Sequence, residues 1–227
     1  WISEHYLTSL GLVVKSMLPK RSIRPPQFAY QERELEKPHL LSPDQRLALK
    51  TILTEKNRVT LLHGITGSGK TEIYLQAITE ILKKGRQAIV LIPEIALTPQ
   101  TTDRFINRFG EKQVAILNSK LSYGKKYREW LRIRKGEAKI VIGPRSAIFA
   151  PVKNLGLIVI DEEHENTYKQ WDQHPRYHAR EVAIKYSQIT GARVILGSAT
   201  PAIETFYKAK SGHYNLCRLD KRINKAN

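Results

Sequence analysis

Short unbroken runs of Val, Ile and Leu, each followed by a stretch with helical character, constrain this chain more than any other feature. Residues 88–92, 114–117, 140–142, 157–160 and 194–196 are apolar without alternation, and 59–63 reads as a further buried strand around Leu61 and Leu62, the pattern of strands buried on both faces. Helices are expected over 70–84, closed by Gly85; from Thr98-Pro99 to Gly110; from Ser122 to near Gly136; over 179–188; and from Thr200-Pro201 onward. Another opens at L-L-S-P-D-Q, where Ser42 can cap, Pro43 suits the first helical position and Gln45 can complete a capping box. Strands alternating with helices predict an α/β domain with a doubly wound, mostly parallel sheet, whose ligands gather at the carboxyl ends of the strands. No internal repeat is visible.

Three phosphate-chemistry signatures fall at such strand ends, in a fixed order. The first is G-I-T-G-S-G-K-T, formed by Gly64, Ile65, Thr66, Gly67, Ser68, Gly69, Lys70 and Thr71. It fits the phosphate-loop pattern, in its required strand-loop-helix setting. Gly64, Gly67 and Gly69 would let backbone N–H groups surround phosphate oxygens, and the helix N-terminus adds partial positive charge. Lys70 would reach the β- and γ-phosphates of ATP and Thr71 would offer a hydroxyl to Mg²⁺. The second signature, D-E-E-H, ends the run L-I-V-I. There Asp161 is expected to hold Mg²⁺ through water, and Glu162 to orient and deprotonate the attacking water. The third is G-S-A-T-P at residues 197–201. Together they imply a motor that couples ATP hydrolysis to movement on nucleic acid. Gln45 has two open readings: a capping residue, or a side chain that reads the adenine edge.

Charge points to the same class of partner. Thirty-eight Lys and Arg against 21 Asp and Glu give a net +17. Basicity on this scale suits a polyanion, with salt-sensitive affinity. After D-E-E-H, the aromatics Tyr168, Trp171 and Tyr177 interleave with Lys169, Arg176 and Arg180, which reads as a stacking platform for unpaired bases. The single cysteine, Cys217, excludes a disulfide framework and a multi-cysteine zinc site in this chain. No apolar run approaches the roughly 20 residues of a membrane span, and the first residues lack a signal peptide's pattern. A cytoplasmic, nucleoid-associated protein with no membrane partner is expected.

The stretches G-I-T-G-S-G-K-T-E-I-Y-L-Q-A-I, L-I-P-E-I-A-L-T-P-Q, V-I-G-P-R-S-A-I-F-A-P, V-I-D-E-E-H-E-N-T-Y-K-Q and I-L-G-S-A-T-P-A-I-E-T resemble the bacterial primosomal protein N′ family. These are superfamily 2 replication-restart helicases of 3′-to-5′ polarity. The resemblance covers roughly residues 38–220, with a weaker match at 1–19. It implies a RecA-like P-loop lobe acting in primosome assembly and restart of stalled forks. Single-stranded and forked DNA, single-strand-binding protein and helicase-loading proteins would be its partners. It assigns Pro93, Glu94, Thr98 and Gln100 to a loop beside single-stranded DNA, and Arg145 and Ser146 to the next DNA-facing motif. His164, Ser198 and Thr200 would relay between hydrolysis and DNA.

By the same resemblance residues 1–19 are a helical remnant ending an N-terminal DNA-binding domain, 20–38 a linker, and 39–227 the first motor lobe. The winged helix, the zinc-binding insertion and the second lobe lie outside this chain. That second lobe would supply an arginine finger worth roughly 10³–10⁵ in rate. Three alternatives stay open: an ATP- and single-stranded-DNA-binding module with negligible turnover alone, a related repair translocase, and a secretion-type ATPase.

Overall fold

The computed structural model describes residues 1–20, 30 and 34–223. Two short helices come first, α1 (Ile2–His5) and α2 (Leu10–Met17). The main domain then runs α3 (Pro43–Thr54), β1 (Val59–Gly64), α4 (Lys70–Lys83), β2 (Gln87–Leu91), α5 (Pro99–Phe109), β3 (Val114–Ile116) and α6 (Tyr123–Lys135). It continues with β4 (Ile140–Gly143), β5 (Leu155–Asp161), α7 (Ala179–Thr190), β6 (Arg193–Ser198), α8 (Ile203–Lys210) and β7 (Asn215–Leu219).

All seven strands are parallel, in the order β3-β4-β2-β5-β6-β1-β7. The unbroken apolar runs are explained by two separate cores. Leu61, Ile89, Leu91, Val141, Ile158, Ile160 and Leu196 face a cluster that includes α6 and α7 residues. Their chain neighbours Leu62, Ala88, Val90, Ile142, Leu157, Val159 and Ile195 face another, filled from α3, α4 and α5. Because successive side chains point to opposite faces, a strand covered on both sides has no polar position to spend.

Ser42 accepts from Gln45 N and Gln45 Oε1 accepts from Ser42 N, closing the expected capping box. Thr98 and Ser122 cap α5 and α6 as expected. Two local expectations are corrected. The last helix starts at Ile203, not at Thr200-Pro201, because the backbone between β6 and α8 is held by other contacts. A seventh strand, β7, joins the edge beside β1. In α1 and α2, Leu10 and Val14 stay exposed while Ile2 and Val13 enter the same cluster as the sheet.

Tyr6 fixes that N-terminal piece to α7: its hydroxyl donates to Glu181 at 2.6 Å and accepts from His178 N at 3.0 Å. Most of the expected linker at 20–38 lies outside the described residues. No helix among the described residues is long and apolar enough to cross a membrane.

Register places the signatures together. Asp161 pairs with Gly197, and His63 with Ser198, so the ends of β5, β6 and β1 are neighbours. The ends of β2 and β4 open next to them on the other side of β5.

Candidate nucleotide site and nucleic-acid interface

Between β1 and α4 the chain turns through residues 65–69. Gly67 and Gly69 both have φ of +81°, a conformation costly for a side chain. Gly64 is needed for a different reason than the expected backbone freedom. A Cβ there would lie 2.6 Å from Ser68 Oγ and 3.0 Å from Leu219 Cβ, so close approach excludes it. Lys70 Nζ donates to Gly64 O at 2.7 Å, which holds the ammonium at the mouth of the loop. Among the described residues, Ser68 Oγ is buried without a hydrogen-bond partner. A buried hydroxyl left unpaired is costly, and its position inside the loop fits a phosphate oxygen. Gln45, 2% exposed, donates through Nε2 to Ser68 O at 3.0 Å, so its amide braces the loop as well as capping α3.

Tyr74 links this loop to the acidic pair. It lies one turn beyond Lys70 and its hydroxyl donates to Asp161 Oδ1 at 3.0 Å. Burial raises the Asp161 pKa, and the neighbouring charge of Glu162 raises it further, against the Tyr74 hydrogen bond and Lys70. A hard cation beside Lys70 and Thr71 would relieve that burial, so the residues present fit Mg²⁺. Glu162 has φ of 46°, rare for a residue with a Cβ. Such outliers persist where surrounding contacts hold them, and they cluster at functional sites.

His164 Nδ1 lies 2.7 Å from Ser198 Oγ and 3.7 Å from the Glu162 carboxylate. Its Nε2 lies 3.4 Å from Thr200 Oγ1, and Thr200 N donates to Ser198 Oγ at 2.9 Å. His164, Ser198 and Thr200 are therefore brought into one hydrogen-bonded group touching Glu162.

Sequence reasoning missed Glu163. It is fully buried and accepts from Arg180 Nη1 at 2.6 Å, Ala202 N at 2.7 Å and Thr205 Oγ1 at 2.9 Å. The signal was a third consecutive carboxyl residue where only two had a task. The contact corrects Arg180, which points inward to this ion pair and not to DNA.

The aromatic stretch divides the same way. Tyr168 is 1% exposed, with its hydroxyl 2.6 Å from Asp161 O and 3.0 Å from Leu91 O. Tyr177 is buried against Phe149 with ring centroids 4.8 Å apart, and burial pushes its pKa up to about 12. Neither can stack on a base from outside, which corrects both expectations. Trp171 is 63% exposed, with Lys169 Nζ 5.8 Å from its ring, and Arg176 is exposed beside them. Replacing Tyr168 with Phe removes the hydroxyl held at the Asp161 and Leu91 carbonyls; the expected cost is about 1–3 kcal/mol in urea unfolding, with DNA affinity unaffected.

The other DNA-facing assignments lie on the β2 and β4 ends. Thr98 and Gln100 are exposed, Pro93 is buried, and Ser146 is exposed. Thr98 Oγ1 accepts from Thr101 N, so its capping role is real. Arg145 is half-buried and donates to Thr167 O at 2.9 Å, bridging the β4 end to the aromatic stretch.

His178 caps α7 by accepting from Arg180 N. Burial, and then the Arg180 charge, lower its pKa to about 4 from 6.5. Between those values the unfolded chain binds a proton that the folded chain refuses. The cap's contribution is therefore intact above pH 6.5 and is lost as pH falls toward 4. In urea melts, the wild-type midpoint should fall relative to His178→Asn across that window; a constant difference would contradict this assignment.

Comparison with known proteins agrees with this geometry. The DEAD/DEAH box helicase family matches residues 42–209. The chain is 49% identical over 219 residues to replication restart protein PriA of Bacillus subtilis (strain 168), covering 94% of this chain and 27% of that protein. It is 43% identical over 227 residues to the Rickettsia felis protein of the same name, covering 99% and 34%. The chain thus spans about a quarter to a third of these curated relatives. RecG bound to a three-way DNA junction superposes with a TM-score of 0.61 at 24% identity, covering 84% of this chain and 25% of that one. The Pyrococcus furiosus Hef helicase domain gives 0.57 at 20% identity, covering 79% and 38%. These two likenesses concern the fold. Because the family match runs from the serine that caps α3 into α8, over most of the chain, the chain belongs to the DEAD/DEAH box helicase family.

Proposed function

We propose that residues 39–227 are the ATP-binding motor lobe of a 3′-to-5′ DNA helicase or translocase that acts in restarting stalled replication forks. One observation carries this reading. A continuous set of contacts runs from Lys70 through Tyr74 to Asp161, and from the adjoining Glu162 through His164 to Ser198 and Thr200. It joins a phosphate loop to strand ends that also bear exposed cationic and aromatic side chains.

The work divides among the residues as follows. The loop 64–71 holds the triphosphate, with Lys70 released from Gly64 O to pair with phosphate oxygens. Mg²⁺, held through Thr71 and Asp161, would neutralise charge on the β- and γ-phosphates. Glu162 takes the proton from the attacking water, and its carboxylate borders His164. His164, hydrogen-bonded to Ser198 and Thr200, is placed to report a change at Glu162 to the β6–α8 turn. Thr98, Gln100, Arg145, Ser146, Lys169, Trp171 and Arg176 form the DNA-facing edge, with backbone contacts positioning the strand and Trp171 stacking on a base. By likeness to the replication restart proteins, forked DNA, single-strand-binding protein and helicase-loading proteins are the partners, at the nucleoid in the cytoplasm. The arginine finger would come from a second motor lobe, so turnover by this lobe alone should be slow.

Fluorescence anisotropy with a labelled single-stranded oligonucleotide tests the DNA edge. Binding should weaken with rising salt, and Trp171→Ala should cost about 1–3 kcal/mol of affinity. Absence of single-stranded DNA binding at low salt would return the chain to the class of ATPases that act on other substrates.

A further inference from the structure

The chain following β7 does not leave the phosphate loop behind. Ile65 N donates to Leu219 O at 3.3 Å, and four residues on Ile223 N donates to Gly67 O at 3.0 Å. Residues 220–223 therefore run along the loop as a strap. Its side chains sit close: a Cβ on Gly69 would overlap Ile223 Cδ1 and Gln45 Nε2, and one on Gly67 would lie 3.8 Å from Arg222 Cγ. Gly69 is thus required by the strap as well as by its φ.

Strap and loop enclose a cleft of about 520 Å³, whose walls include Leu40, Leu41, Gln45, Leu219, Arg222 and Ile223. That volume falls within the roughly 300–1,000 Å³ of small-ligand pockets. Leu40 is 99% exposed, an aliphatic side chain set in water at the rim. Both ends of the Gln45 amide are already engaged, with Ser42 N and with Ser68 O. Planar recognition must come from elsewhere in the cleft. The Arg222 guanidinium, which has no ion pair among the described residues, is a flat cation suited to an aromatic face.

We propose that residues 221–223 form a wall of the nucleoside half of the site, with Arg222 stacking on the base and Ile223 packing beside it while the phosphates lie on residues 64–71. This rests on the reading of residues 64–71 as the triphosphate cradle. Arg222 and Ile223 are positioning residues for the nucleoside; they leave the hydrolytic groups untouched.

Calorimetric titration with Mg²⁺ present separates the two halves, using ATP and inorganic triphosphate as ligands. For the Arg222→Ala, Ile223→Ala double variant, ATP affinity should drop about tenfold while triphosphate affinity is unchanged. Arg222→Lys, which keeps the charge and loses the plane, should fall between wild type and the double variant for ATP alone. Unchanged ATP affinity, an equal loss for both ligands, or tighter binding of both would each overturn the proposal. Wild-type chain that binds triphosphate but gains nothing from the nucleoside would overturn it too and leave the cradle standing. Wild-type chain that binds neither would overturn the cradle itself.

Discussion

Glu163→Ala should cost this lobe about 3–5 kcal/mol of stability, more than any other single change at the strand ends. The carboxylate is fully buried and has three donors, drawn from α7, the start of α8 and the turn before it. Removing one partner of a buried ion pair leaves the other charge desolvated and unpaired, which is the origin of penalties on this scale. Here the remaining charge is Arg180, whose side chain is 16% exposed. Arg180→Ala should be destabilising for the converse reason, and the double variant less so than the sum, since the pair forms one unit. Urea unfolding of the four proteins measures all three terms. A loss below about 1 kcal/mol for Glu163→Ala would mean that Arg180 has an outside role, and would restore it to the DNA-facing edge.

Glu162→Gln should lower ATP hydrolysis by roughly 10²–10⁴-fold while leaving ATP affinity nearly unchanged, the signature of a lost general base. The amide keeps the shape of the side chain and its unusual φ of 46°, so the fold is not expected to respond. Single-turnover hydrolysis with the lobe in excess over ATP detects slow chemistry. Equal rates for variant and wild type would remove Glu162 from the mechanism. Three consecutive acidic residues point in different directions according to where the backbone turns after β5. Asp161 still lies on the strand, Glu162 takes the left-handed conformation, and Glu163 returns inward with its N donating to Gly197 O at 3.0 Å.

Much of this was legible in the sequence because its causes are local. Unbroken Val/Ile/Leu runs require a sheet covered on both faces, and Ser42, Thr98 and Ser122 announce helix starts with their own hydroxyls. The edge strand β7 gave no such sign: N-L-C-R-L is interrupted by Asn215 and Arg218 and follows a Gly-His pair, and only Cys217 and Leu219 are buried. The start of α8 was misplaced because Thr200 looks like a cap. Its N and Oγ1 are instead turned toward Ser198 and His164, contacts that depend on β5 and β6 being neighbours.

The aromatic stretch failed for a different reason. Alternating aromatics and cations show that a segment has both characters, but not which of them face the core. Tyr168 and Tyr177 bury where carbonyls or another ring await them, and Trp171 has neither. Arg180 could be placed only once a buried carboxylate 17 residues away had been found.

The most direct test of the central claim is a calorimetric titration of MgATP into this chain and its Lys70→Ala variant. Lys70 donates to Gly64 O and lies beside Asp161, so it can exchange a carbonyl for phosphate oxygens without moving the loop. The wild-type chain should bind one ATP, and the variant should lose affinity by roughly tenfold to a hundredfold, the worth of a charge-assisted hydrogen bond. Equal affinity in the two proteins, or no binding by the wild type, would show that residues 64–71 are not a nucleotide site.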